Sequence, residues 1–107
     1  MKDKFIIIFV TTATAEEAEK ISRILVEEKL AACGTIMAGL RSIYFWEGKI
    51  EDAKESMMVI KTKTSRFKKI EKRVRSLHSY SVPEIVAVPV VQGSKTYLKW
   101  VKENSKG

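Results

Sequence analysis

The sequence has little of several residue types that would mark a special class of protein. It contains one cysteine, Cys33, one histidine, His78, and two prolines among 107 residues. A single cysteine excludes an internal disulfide framework and a zinc site built from several cysteines. No apolar run approaches the roughly 20 residues of a membrane-spanning helix, and the first one is too short for a signal peptide. We therefore expect one cytoplasmic domain over residues 1–107, without a membrane partner.

Side-chain amides are also scarce, because the chain has one asparagine, Asn104, and one glutamine, Gln92. Lysine, arginine and the acidic residues instead give a charged fraction of 31% and a net charge of +7. Few amides and many charged side chains are typical of heat-adapted proteins, which predicts a thermostable fold. A net positive charge attracts anionic partners at long range, but we assign it to a solvated surface rich in lysine and glutamate.

The longest feature of the sequence is a β-hairpin predicted over residues 33–63. Residues 42–46 are β-branched and aromatic, which suits a strand, and residues 47–49 form a turn around a glycine. Each arm has about 14 residues, roughly 45 Å when extended, whereas a compact domain of this size is about 34 Å across. The hairpin must therefore bend, at Ala38 and Gly39, or project from the body. A projecting aromatic arm exposes apolar surface, which predicts that it packs on another copy of the chain.

Strand and helix patterns alternate along the rest of the chain. The continuous apolar run of residues 4–12 is typical of a central strand buried on both faces, and Thr14 with Glu17 matches a helix capping box. Apolar residues at spacings of 3, 4 and 3 predict a second helix that ends near His78. Residues 84–91 predict a strand that lies at an edge or carries a bulge, since a proline inside them lacks an N–H group. A last helix follows, and we expect the tail beyond it to fray.

This order of elements predicts an α+β fold. Strand, helix, strand, strand, helix, strand is the order of the ferredoxin-like βαββαβ sandwich, with helices on one face of an antiparallel sheet. The long β-hairpin and an extra C-terminal helix are additions to that fold. Because the fold serves many functions, it assigns none by itself.

Five segments carry a resemblance to a known family. They are residues 25–33 (LVEEKLAAC), 42–50 (SIYFWEGKI), 60–62 (IKT), 77–85 (LHSYSVPEI) and 97–100 (YLKW). Each is weak alone, but together, in order and at the right spacing, they are specific: the chain resembles the divalent-cation tolerance protein CutA family along nearly its whole length. The resemblance implies a small cytoplasmic homotrimer with an architecture like that of the PII signalling proteins. It also implies a role in tolerance to copper and other divalent metals.

Three side chains are candidates for metal binding: His78, Glu84 and Cys33. His78 is the only imidazole, Glu84 follows it across a turn closed by Pro83, and Cys33 is the only thiolate, which Cu(I) prefers. The structural alternatives stay open, because His78 ends a helix and Cys33 suits a small core position. One histidine and one carboxylate are an incomplete ligand set. We therefore expect copper or another divalent cation to bind weakly, with no cofactor required for folding.

A second candidate site is a cleft between subunits, which the CutA resemblance implies. Its candidate residues are Trp46, Glu47, Lys61 and Tyr80. Ordinary alternatives exist for each: the aromatic side chains suit an interface or a core, and Glu47 and Lys61 suit a solvated surface.

Two functions stay open on this basis. The first is a trimeric CutA-like protein in the response to divalent metals such as copper, which binds metal weakly or acts as a signalling scaffold. The second is a PII-like sensor with a small effector in the inter-subunit cleft, although glycine-rich phosphate loops are missing. Nucleic-acid binding is disfavoured, because the first strand is apolar throughout and lacks the RNA-stacking motif. An enzyme is disfavoured as well, because no Ser/His/Asp set, HExxH motif or obvious carboxylate pair is present.

Overall fold

The structure is a computed structural model that describes residues 4–107. Along this part of the chain the elements are β1 (Phe5–Thr12), α1 (Ala15–Glu27), β2 (Cys33–Trp46), β3 (Lys49–Lys63), a 3-10 turn (Thr64–Arg66), α2 (Phe67–Leu77), β4 (Ile85–Pro89) and α3 (Lys95–Glu103). The strands form an antiparallel sheet in the order β2-β3-β1-β4. This confirms the predicted ferredoxin-like fold, with β4 at an edge. None of the helices in residues 4–107 is long and apolar enough to cross a membrane.

The core lies between the sheet and helices α1 and α2. Its fully buried side chains come from alternate positions of β1 and β3 and from one stripe of each helix: Ile8, Val10, Ala18, Ile21, Leu25, Met58, Ile60, Ile70 and Val74. The spacing of 3, 4 and 3 in the sequence predicted the stripe of the second helix correctly. Each of the buried valine, leucine, isoleucine and methionine side chains contributes about 1.5–3 kcal/mol when it is fully removed from water.

Most of the opposite face of the sheet is not covered by the chain itself, although Tyr97 and Leu98 of the C-terminal helix lie beside one end of it. Although β1 is apolar at nearly every position, its first six residues alternate between half-buried and buried. Phe5, Ile7 and Phe9 point to the uncovered face, since successive strand residues alternate sides. The expectation that one chain buries β1 on both faces is therefore wrong. Below, this side of the sheet is called the open face.

The hairpin both bends and projects. The pairing of β2 with β3 shifts by one residue between Met37 and Leu40, so Ala38 and Gly39 form a β-bulge. Gly39 has φ of 74°, which glycine adopts without a side-chain clash. Beyond the bulge the two strands continue to a tight turn, and the molecule measures 47 × 25 × 23 Å. The predicted bend and the predicted projection are both confirmed.

The C-terminal tail is docked, so the expectation that it frays is wrong. Ser105 is fully buried, and its hydroxyl donates to the Val101 carbonyl at 2.6 Å. Arg66 Nε donates to the Ser105 carbonyl at 3.0 Å, and the Gly107 N–H donates to the Lys29 carbonyl at 2.6 Å. Tertiary hydrogen bonds to two distant turns thus hold the tail in place.

Candidate functional site

A cleft of about 520 Å³ lies between the projecting part of the hairpin and the loop after α2. Its lining residues are Thr11, Ser42, Ile43, Tyr44, Trp46, Glu55, Tyr80, Ser81, Val82 and Glu84. The bulge pairs Leu40 with Glu55, and residues two apart on a strand share a face. Ser42, Tyr44 and Trp46 therefore lie on the same side as Glu55. The cleft is a continuation of the open face towards the hairpin tip.

Glu55 and Tyr80 form the innermost contact of this cleft. Glu55 is only 7% exposed, and the Tyr80 hydroxyl donates to its Oε2 at 2.7 Å. Burial raises the pKa of Tyr80 well above its usual value, and the hydrogen bond and negative charge of Glu55 raise it further. Tyr80 therefore keeps its proton at neutral pH and serves as a hydrogen-bond donor.

His78 lies behind Tyr80 with a fully buried side chain. Its Nδ1 accepts the Tyr80 backbone N–H at 3.0 Å, and its Nε2 lies 2.7 Å from the Thr11 carbonyl. Because Nδ1 accepts a hydrogen bond, the neutral ring carries its proton on Nε2 and donates it to Thr11. Both ring nitrogens are thus engaged with the backbone. A metal ion at His78 would have to displace one of these two partners.

Glu17 fixes the loop after α2 against the start of α1. Its carboxylate accepts the Ser79 N–H at 2.7 Å, the Ser79 hydroxyl at 3.0 Å and the Ala13 N–H at 3.3 Å. Burial raises the pKa of Glu17, but the hydrogen bonds from Ser79, together with nearby His78, outweigh burial and lower it overall. The N-cap predicted from the sequence is present, since Thr14 accepts the Glu17 N–H, but the Glu17 carboxylate reaches back to the Ala13 N–H rather than to that of Thr14. Its second role as an anchor for the loop has no signal in the sequence.

Cys33 and Lys61 lie elsewhere on the open face, directly opposite each other on β2 and β3. Lys61 Nζ donates to the Thr35 hydroxyl at 2.6 Å and lies 3.8 Å from Cys33 Sγ. Lys61 is four residues along β3 from Met57, the partner of Thr11, which corresponds to about 13 Å. This pair is therefore separate from the cleft.

The structure brings together only some of the predicted site residues. Trp46, Tyr80 and Glu84 line the cleft, whereas Glu47 lies in the hairpin turn and does not line it within one chain. His78, Glu84 and Cys33 do not meet in one chain, because Cys33 is at the far end of the sheet. Across residues 4–107, no three His, Cys, Asp or Glu side chains converge in a way that suits a metal ion.

Sequence reasoning missed Glu55. It belongs to the charged stretch KIEDAKES, in which every charge looks solvated. The available signal was register: Glu55 is two residues before Met57 and shares its face of the sheet. The burial of Glu55, however, depends on the bulge and on the loop after α2, which cover it.

Comparisons with known proteins agree with this fold. A family model described as CutA1 divalent ion tolerance protein matches residues 6–104. The divalent-cation tolerance protein CutA of Thermus thermophilus is 44% identical over 99 residues, 92% of this chain and 96% of that protein. The one of Archaeoglobus fulgidus is 43% identical over 96 residues, 90% and 93% of the two chains. The crystal structure of CutA1 from Oryza sativa superposes with a TM-score of 0.94 at 35% identity, covering 96% of this chain and 94% of that one. The chain belongs to the CutA family of divalent-cation tolerance proteins.

Proposed function

We propose that this protein acts in the response to divalent metal ions such as copper, as a homotrimeric signalling scaffold that binds metal weakly. The role is one of binding and assembly rather than catalysis. The observation that carries the proposal is the open face of the sheet, whose apolar surface another copy of the chain would cover. The CutA relatives, which are named for divalent-cation tolerance, support the metal part.

The open face supports assembly because it is largely apolar and mostly uncovered. Across the sheet, Val86 on β4 and Met37 on β2 belong to this face and are 50% and 46% exposed. The hairpin extends this surface with Trp46, which is 47% exposed. Apolar patches of this kind on a soluble protein mark interaction surfaces. A closed ring, in which each copy's hairpin covers the next copy, would bury every such face, and the CutA resemblance implies three copies.

Weak metal binding is supported by charge and by the available ligands. A net charge of +7 on each chain repels dications at long range. His78 has both ring nitrogens engaged, and Glu84 in the cleft is a single exposed carboxylate, so water or a neighbouring chain must complete any site. Folding then requires no metal, and a sensor or scaffold fits better than sequestration.

A second candidate function is a PII-like sensor with a small effector in the inter-subunit cleft. The cleft beside the hairpin favours it, because its volume of about 520 Å³ falls in the range of small-molecule sites. Assembly through the hairpin would place this cleft next to a neighbouring chain.

Native mass spectrometry of the protein with and without Cu²⁺, Zn²⁺ and ATP tests the proposal. We expect a trimer under all conditions and partial metal occupancy that falls on dilution. A monomer at micromolar concentration would rule out the scaffold, and full occupancy at low metal concentration would contradict weak binding.

Isothermal titration with Cu²⁺ then locates the metal. We compare the wild type with His78→Ala and with Glu84→Gln, using exposed Glu27→Gln on α1 as the control. Weaker binding by the first two variants alone supports a site at His78 and Glu84. Equal Cu²⁺ binding by His78→Ala and the wild type would show that His78 is not a metal ligand.

A further inference from the structure

The cleft has the opposite charge to the rest of the molecule. The chain carries 20 lysine and arginine residues against 13 acidic ones. In the described structure, however, the charged residues that line the cleft are both acidic, Glu55 and Glu84. Because the chain as a whole carries a net positive charge, this local excess of negative charge sets the cleft apart as a place for a cation.

Glu55 lacks the partner that a buried carboxylate normally has. It is more than nine-tenths buried, and among residues 4–107 its hydrogen-bond partner is one neutral hydroxyl, that of Tyr80 on Oε2. Oε1 has no partner within this part of the chain. Because Oε1 is not among the buried polar atoms without a partner, it is open to the cleft rather than enclosed. Oε1 therefore supplies an unused acceptor within the cleft.

Aromatic rings provide the second half of a cation site. Tyr44, Trp46 and Tyr80 all line the cleft, and Tyr44 is close enough to Tyr80 to raise the pKa of its hydroxyl. The faces of such rings attract ammonium groups, most strongly where water is partly excluded. Ile43 and Val82 add apolar surface that suits an alkyl chain.

We propose that the cleft binds a small organic ammonium cation, a primary amine with a short alkyl chain. Its N–H groups donate to Oε1 of Glu55, the aromatic rings contact the charged head, and Ile43 and Val82 contact the alkyl part. A hard metal dication fits less well, since it needs about six oxygen ligands and no three acidic, cysteine or histidine side chains converge in residues 4–107. The inference names the ligand class of the sensor considered above and rests on that function.

The test measures amine binding and assembly separately. Isothermal titration with 1,4-diaminobutane uses the intact protein, with 1,4-butanediol as the uncharged probe and Mg²⁺ as the inorganic dication. We expect saturable binding of the diamine and none of the diol or Mg²⁺. Native mass spectrometry of the same samples reports the oligomer, so an intact trimer without bound amine overturns this inference alone, whereas a monomer overturns the scaffold.

Glu55→Gln tests the anchor, because glutamine keeps an acceptor for Tyr80 but removes the charge. We expect diamine binding to weaken about tenfold or more, the loss typical of a hydrogen bond to a charged group. Glu27→Gln on α1 makes the same charge change at an exposed position and should bind as the wild type does.

Equal binding by Glu55→Gln and the wild type would overturn the proposal. A wild-type trimer that takes up no diamine would also overturn it. If a basic side chain of a neighbouring chain already fills the cleft, the trimer's crystal structure would reveal it. Matching thermal melts of Glu55→Gln and Glu27→Gln verify that a loss of diamine binding reflects the changed site rather than unfolding.

Discussion

The two faces of the sheet differ in how completely one chain buries their apolar side chains. On the helix face, Ile8 and Met58 are fully buried beneath α1 and α2. On the open face, Val86 and Val88 remain 50% and 43% exposed although they are equally apolar. The same strands thus contribute to a fully buried core on one side and leave a partly exposed apolar surface on the other. This sequence therefore encodes more apolar surface than a single chain buries.

The largest effect is expected on the helix face. Ile8→Ala removes a fully buried side chain, and we expect a loss of about 2–5 kcal/mol in the free energy of unfolding, as for other large-to-small core changes. Chemical denaturation at a fixed protein concentration measures it. Val91→Ala is the matched control, because Val91 is 88% exposed and its truncation should change stability little. Similar losses for the two variants would mean that the helix face is not the stable core.

The second prediction concerns the hairpin end of the open face. Trp46→Ala should weaken the trimer by about 2 kcal/mol or more, the usual cost of truncating an aromatic anchor at an interface. Sedimentation at a series of concentrations shows whether the variant dissociates where the wild type does not, with Val91→Ala again as control. An unchanged association constant would show that the hairpin end is not part of the interface between copies.

The third prediction tests whether covering the open face accounts for heat stability. If association and folding are linked, the melting temperature lies above the mesophile range of about 45–65 °C and falls on dilution. Calorimetry over a hundredfold range of protein concentration measures both. A midpoint inside that range counts against heat adaptation, and one that is independent of concentration would show that assembly adds no stability.

The smallest effect is expected at the loop that bounds the cleft. Because the pKa of Glu17 is lowered in the folded state, its charged form stabilises the protein above its ordinary pKa of 4.5, and this stability is lost as the pH falls through the lower, folded value. Glu17→Gln should therefore melt earlier than the wild type at pH 7, with the difference shrinking below about pH 4.5. Exposed Glu16→Gln is the control. A difference that stays constant from pH 7 to pH 3 would exclude the charge as its cause.

Much of the fold could be predicted because its signals are local. The apolar stripe of α2 and the β-branched end of β2 are periodic over a few residues, and Gly39 marks the bulge. The docked tail could not be predicted, since Ser105 is held by Arg66, 39 residues away in sequence. The sequence suggested a cleft with Trp46 and Tyr80 only through the family resemblance, and it gave no reason to place Glu55 there.

The order of strands and helices, the length of the hairpin and the excess of apolar surface could all be predicted from the sequence. These follow from period, composition and length, which are properties of neighbouring residues. The partners of His78 and Glu55, in contrast, are set by the folded structure. His78 contacts Thr11 across 67 positions and Tyr80 reaches Glu55 across 25. Such contacts depend on the register of the strands and the course of a loop, so no local pattern specifies them.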